Sequence, residues 1–187
     1  MLTIANQLTL LRMGLVPVLV ALLLNAEHGW ALGVFILAGL TDLFDGFFAR
    51  RSGGPTRLGA MLDPVADKLL LGTSYVALTW GPGLLCRMPT WVTVLVLGRD
   101  AIIIISVVVV NLALERRVFY PSILGKLSTF SQVATAGLVL LMNTLATCPP
   151  FMRYVFLLTM ALTVASALHY VYATSGRRAA GPPPPPA

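Results

Sequence analysis

The sequence predicts an all-α integral membrane protein of six transmembrane helices with both termini cytoplasmic, and three observations lead there. Of its 187 residues 57% are hydrophobic and only 11% charged, with a mean hydropathy of +0.86, whereas soluble domains carry roughly 25% charged residues. The apolar residues fall into six continuous segments, and the basic residues between those segments gather on one side.

The six segments are 8–25, 30–50, 58–80, 89–114, 122–145 and 151–174. Each is long enough to cross a hydrocarbon core of ~30 Å, which takes ~20 helical residues. Gly, Pro or charged clusters separate them: Asn25 to Gly29, Arg51 to Arg57, Gly81 to Met88, Glu115 to Pro121 and Ala146 to Pro150. A closed β-barrel is excluded, because the segments are continuous apolar runs and not ~10-residue alternating strands. Arg50, Arg51, Arg57, Arg116, Arg117, Lys126, Arg177 and Arg178, with the near-terminal Arg12, fall on one side, and only Arg87 and Arg153 on the other. The positive-inside rule therefore places both termini in the cytoplasm. Trp30, Trp80 and Trp91 fall near the external span ends, as interfacial anchors do.

Neither a cleavable signal peptide nor an Arg- and Ser-rich import sequence is expected, and a bacterial inner membrane is the simplest address. The membrane domain is expected over 1–176, followed by a disordered Pro-rich tail over 177–187. The net charge of +6 does not signal nucleic acid, since the basic residues occupy short loops without interleaved exposed aromatics.

Four of the seven acidic residues, Asp42, Asp45, Asp63 and Asp67, fall at the end of the second segment and the start of the third. A carboxylate at the centre of a membrane helix costs ~2.5–3.5 kcal/mol, less near an interface. Uncompensated, the four could oppose insertion by ~10 kcal/mol. Asp42 and Asp45 are three apart, Asp63 and Asp67 four apart, so each pair shares a helix face. Antiparallel spans joined by a short loop bring both pairs to similar depth near the cytoplasmic end. Two divalent cations would cancel the charge. With oxygen ligands only, and no His or Cys nearby, magnesium or manganese suits the set better than zinc. Gly46, Ala49 and Gly59 leave room for a phosphate-bearing ligand. The competing reading pairs the aspartates with Arg50, Arg57 and Lys68 as buried ion pairs.

These residues spell Asp42-x2-Asp45-Gly46-x2-Ala49-Arg50-x8-Gly59-x3-Asp63-x3-Asp67. The pattern resembles the signature of the CDP-alcohol phosphotransferase (CDP-alcohol phosphatidyltransferase) family at all eight fixed positions, a coincidence on the order of 10⁻¹⁰ per start site with average residue usage. The resemblance implies an enzyme that transfers a phosphatidyl group from CDP-diacylglycerol to an alcohol and releases CMP, usually as a homodimer. It implies that Asp42, Asp45, Asp63 and Asp67 hold two Mg²⁺ (or Mn²⁺) ions and that Asp67 accepts the proton of the incoming hydroxyl. It further implies that Gly46, Ala49, Arg50, Thr56 and Gly59 surround the CDP moiety, with Asn6 in the stretch 5–8.

Two groups within the family compete for the acceptor. The opening stretch from Thr3 through Arg12, Pro17, and Gly125-Lys126-x2-Thr129-x2-Gln132 resemble phosphatidylglycerophosphate synthases, which use glycerol 3-phosphate. The stretch Ala31 to Asp42 is similar to eukaryotic-type cardiolipin synthases, which use phosphatidylglycerol. Arg99, Arg116, Arg117 and Lys126 are the candidate contacts to an acceptor phosphate. Asp100 stands where the first group has Glu, Val107 where it has a second arginine, and Ala5 where the family often has proline. The lost arginine weakens a phosphomonoester site. The balance still favours glycerol 3-phosphate narrowly, with phosphatidylglycerol as the alternative.

A cation-coupled transporter is the rival class, disfavoured because no internal repeat is visible and the acids lie at one end. A degenerate, non-catalytic relative is disfavoured by the complete signature. Arg12, inside the first span, either snorkels to the interface or helps hold the donor's phosphates. His28 is expected to be solvated in an external loop, and His169 and Tyr170 to pack or sit at the interface. Cys86 and Cys148 both fall in external loops. Two cysteines offer no framework, so a disulfide is the less expected arrangement, requiring an oxidising face and Cα atoms within ~7 Å.

Overall fold

The computed structural model describes residues 4–51, 57–113 and 123–179, with side chains over 7–42, 65–105 and 123–170. It contains six α-helices: α1 Ile4–Leu24, α2 His28–Arg51, α3 Arg57–Trp80, α4 Thr90–Ala113, α5 Ile123–Thr144 and α6 Met152–Ala179. The six apolar segments thus each become one helix, with ends within a few residues of those expected. The exception is α6, which runs to Ala179, three residues into the expected disordered tail. Arg177, Arg178 and Ala179 are good helix formers, and no proline falls between Pro150 and Pro182. Among the described residues, Gln7–Leu24 in α1, Ile123–Thr144 in α5 and Met152–Tyr170 in α6 are long and apolar enough to cross a membrane.

The helices pack as a bundle in which α1 lies against α2 and α3, α5 against α2, α3 and α6, and α4 against α3 and α6. Leu19, Ala38, Tyr75, Leu78, Val92, Val139 and Leu140 fill the interior. The exterior too carries large apolar side chains: Leu10, Ile36, Ile102, Ile105, Phe130 and Leu158 are all exposed. On a water-soluble chain so large an apolar surface is an association hazard, whereas lipid tails solvate it.

The polar side chains are turned inward instead. Thr135 and Thr159 share a hydrogen bond of 2.6 Å, Ser131 meets Thr159 at 3.0 Å, and Gln132 Nε2 donates to Thr163 at 3.2 Å, joining α5 to α6. Thr79 and Thr93 join α3 to α4 at 2.6 Å, and the Tyr75 hydroxyl donates to the Gln132 carbonyl at 3.1 Å. Hydrogen bonds between small polar side chains are how helices associate where burial of apolar area gives no net drive.

At one end of the bundle the three short connections meet. Asn143, near the end of α5, accepts from the Leu85 and Cys86 amides at 2.9 and 3.0 Å. Its amide nitrogen donates to the Cys86 and Val139 carbonyls, each at 2.8 Å. Cys86 is disulfide-bonded to Cys148, with Cα atoms 4.9 Å apart. The two cysteines are therefore paired, against expectation: 62 residues of sequence separate them, and only the docking of the α3–α4 connection on α5 brings them together. His28 is also not free in solvent. It opens α2, and its Nε2 donates to the Gly83 carbonyl at 3.2 Å. Gly83 has φ +68°, and a Cβ there would meet the Ala26 Cβ at 2.8 Å, so glycine is required twice over.

The turns at this end repeat one device. Glu27 N donates to Leu22 O and Ala26 N to Leu23 O, with Ala26 at φ 58°. Thr147 N donates to Met142 O and Ala146 N to Asn143 O, with Ala146 at φ 49°. Both are Schellman caps with alanine at the left-handed position where glycine is favoured.

Candidate active site

Arg12, Asp42 and Asp67 come from three different helices. Counted back from the disulfide end at 1.5 Å per residue, they stand roughly 18, 21 and 20 Å along α1, α2 and α3. The three side chains meet at that level. Arg12 Nη1 donates to Asp67 Oδ1 at 2.6 Å and lies 3.0 Å from Asp42 Oδ1. The guanidinium is fully buried, while the two carboxylates remain about half exposed, at 50% and 44%. The aspartates of α2 and α3 thus converge on a single cationic nitrogen.

Asp45 lies one turn beyond Asp42 in α2, and Asp63 one turn before Asp67 in α3. Their side chains lie outside the described residues, as do those of Asn6, Ala49 and Arg50. Positions 46 and 59 fall in the same stretches of α2 and α3, and Thr56 falls outside the described residues altogether. Among the described residues, no group of three His, Cys, Asp or Glu side chains converges.

The neighbouring residue on α3 turns to the other side. Lys68 Nζ lies 2.5 Å from Asp100 Oδ2, and Arg99 Nη1 donates to Asp100 Oδ1 at 2.8 Å, so one carboxylate divides its two oxygens between two cations. Arg99 Nη2 donates to Ser166 Oγ on α6 at 2.9 Å, and Arg99 and Asp100 are each 8% exposed. Lys126, the fourth residue of α5, is exposed and makes no ion pair among the described residues. Arg116 and Arg117 lie outside them.

Two charge clusters therefore flank α3. Arg12, Asp42 and Asp67 sum to −1, and to −3 if Asp45 and Asp63 join them ionised. Lys68, Asp100 and Arg99 sum to +1. The first offers hard carboxylate oxygens in a water-accessible setting, the donor set that Mg²⁺ or Mn²⁺ takes while keeping several waters. The second offers surplus positive charge in a largely buried place, which attracts an anion.

Of the expected ion pairs, Lys68 pairs among the described residues with Asp100 and not with Asp42 or Asp67, while Arg12 is a basic partner of both those aspartates. Residue spacing alone does not reveal that pairing. Equal depth does: Arg12 is twelve residues from the end of α1, and Asp67 thirteen from the end of α3. A cavity of about 500 Å³ opens at the opposite end of the bundle, lined by Trp91, Met152, Arg153 and Phe156 among others, remote from both clusters.

A model of the CDP-alcohol phosphatidyltransferase family matches residues 2–168. Over 147 residues the chain is 42% identical to a probable phosphatidylglycerophosphate synthase of Mycobacterium tuberculosis, covering 74% of this chain and 66% of that one. It is 44% identical over 106 residues to a human cardiolipin synthase (CMP-forming), covering 56% and 34%. A cardiolipin synthase (CMP-forming) of Streptomyces coelicolor is 37% identical over 150 residues, covering 75% and 66%. The matches span at most 66% of these relatives' own lengths. Since the family match runs from the first helix into the last and takes in the whole aspartate signature, this chain belongs to the CDP-alcohol phosphatidyltransferase family.

Proposed function

We propose that the protein is a phosphatidyltransferase of phospholipid biosynthesis, taking the phosphatidyl group of CDP-diacylglycerol to glycerol 3-phosphate and releasing CMP. The single observation that carries this reading is the meeting of Asp42 and Asp67, from separate helices, on one cation. All six helices span a bacterial inner membrane, both termini are cytoplasmic, the active site faces the cytoplasm, and the enzyme works as a homodimer. The orientation is supported by the disulfide at the far end, because disulfides persist on oxidising faces such as the periplasmic one.

Asp42, Asp45, Asp63 and Asp67 are the residues to hold two Mg²⁺ or Mn²⁺ ions. Such ions, when bound, neutralise the pyrophosphate charge and hold attacking and leaving oxygens in line. Around them the chain's own groups divide the work. Asp67 accepts the proton as the acceptor hydroxyl forms its new bond to the phosphorus that carries the diacylglycerol. The bond from that phosphorus to the bridging oxygen breaks, and CMP departs with the electron pair. Positions 46, 49, 50, 56, 59 and 6 surround the CDP moiety. The Lys68–Asp100–Arg99 cluster beside Asp67 receives the acceptor's phosphate, assisted by Arg116, Arg117 and Lys126. A donor whose acyl chains stay among the exposed apolar residues of the bundle thereby presents its phosphates to an acceptor arriving from water.

A second reading, phosphatidylglycerol as acceptor and cardiolipin as product, is favoured by one specific observation. Asp100 engages both Lys68 and Arg99, leaving the cluster at +1, a charge matched to a phosphodiester monoanion better than to a phosphomonoester dianion. Two of the relatives are named cardiolipin synthases. The test supplies purified protein with CDP-diacylglycerol and Mg²⁺, plus either glycerol 3-phosphate or phosphatidylglycerol. CMP release with glycerol 3-phosphate supports the first reading, release with phosphatidylglycerol alone replaces it with the second, and release with neither refutes both.

A further inference from the structure

We infer that Arg12 is a built-in counter-ion of the aspartate site: its guanidinium holds Asp42 and Asp67 together while the site is empty of divalent metal, and is exchanged for metal when the ions load. The inference rests on the proposed metal-binding role of the aspartates and adds what keeps those carboxylates folded without it.

The argument starts from burial. A guanidinium with no exposed surface keeps its charge only if it is paired and hydrogen-bonded. Arg12 is 0% exposed in the interior face of α1, and one of its nitrogens is shared by carboxylates of two other helices at 2.6 and 3.0 Å. That is more contact than snorkelling gives, since a snorkelling side chain carries its charge outward to water.

The two carboxylates, carried on different helices, repel one another, and α2 and α3 both pack against α1. A cation carried on α1 is therefore the group that can close this corner of the bundle before any metal arrives. The same nitrogen lies between two of the carboxylates proposed to hold metal. A bound metal and the guanidinium would draw on the same two side chains, and a unit positive charge a few ångströms from a divalent ion opposes its binding even at the dielectric of bulk water. Arg12 thus stabilises the metal-free fold and weakens metal affinity at once. A purely structural ion pair does only the first.

The test measures Mn²⁺ binding by electron paramagnetic resonance and thermal unfolding with and without Mn²⁺, on wild type, Arg12→Met and Arg12→Lys in the same detergent. Arg12→Met is expected to unfold at a lower temperature than wild type in metal-free buffer, to recover with Mn²⁺, and to reach half-saturation at about tenfold lower Mn²⁺, the effect of removing one like charge. Arg12→Lys, which keeps the charge, is expected to stay near wild type in both measurements. Equal or weaker Mn²⁺ binding by Arg12→Met overturns the exchange, as does an Arg12→Met protein that stays unfolded with and without Mn²⁺. Absence of Mn²⁺ binding in wild type defeats the metal reading itself, and the inference with it. Unchanged metal-free stability in Arg12→Met, with wild-type Mn²⁺ binding intact, defeats the counter-ion role alone.

Discussion

Where α1 meets α2, α3 meets α4 and α5 meets α6, the bundle is closed by a disulfide, by the four hydrogen bonds of Asn143 and by two Schellman caps. Further along the same helices, Arg12, Asp42, Asp67, Lys68, Asp100 and Arg99 hold their places by opposite charge. The first region satisfies every donor and acceptor of Asn143 internally, and Cys86 is fully buried. The second leaves two carboxylates half exposed. A fold that gathers like charges within one bundle gives up stability there. The far end, with covalent and hydrogen-bonded closure, keeps the helices in register while the charged level stays open to ligands.

Changes at four places would break or sharpen this contrast. The largest effect belongs to the charged level. Asp67→Asn should lower CMP release by about 10³-fold, within the range for a lost general base, while circular dichroism and the unfolding temperature stay close to wild type because Asp42 still pairs with Arg12. If that variant instead unfolds with activity lost in proportion, Asp67 is structural.

Next comes the closed end. Replacing Cys86 and Cys148 together by serine removes a cross-link between residues separated by 62 positions, and the chain-entropy account puts the loss at about 4 kcal/mol. Denaturant unfolding should report it, while CMP release at low temperature stays within about twofold. A loss of catalysis without loss of stability would show that the two regions are not separable.

Asn143→Leu should cost about 2–3 kcal/mol, because the Leu85 and Cys86 amides and the Cys86 carbonyl lose their buried partner. The same unfolding measurement checks it. Smallest is Ala146→Gly. It relieves a non-glycine residue at φ 49° and should stabilise by about 0.5–1 kcal/mol.

Much of this is legible in the sequence. The length and continuity of the apolar runs are enough to set six helices, because in lipid a backbone has no alternative to satisfying itself within each segment. The aspartates stood out because charge is so rare in these segments. What local pattern did not carry is pairing across helices. Arg12 looked like a span residue of ambiguous role, since its partners are 30 and 55 positions away. Lys68, adjacent to Asp67, is by sequence a candidate partner for the signature aspartates, yet a one-residue step rotates a helical side chain by ~100° and turns it to α4. Cys86 and Cys148 were hard to pair for the same reason, since their approach depends on Asn143. The Ala26 and Ala146 caps were invisible because alanine carries no turn signal.

The most direct test of the central claim is CMP release from CDP-diacylglycerol by the purified protein, measured with Mg²⁺, with chelator, and with Asp42→Asn and Asp67→Asn under Mg²⁺. The account predicts release that requires Mg²⁺ and an alcohol acceptor and that collapses in both variants. Release that persists in chelator, or that survives either substitution undiminished, would contradict it.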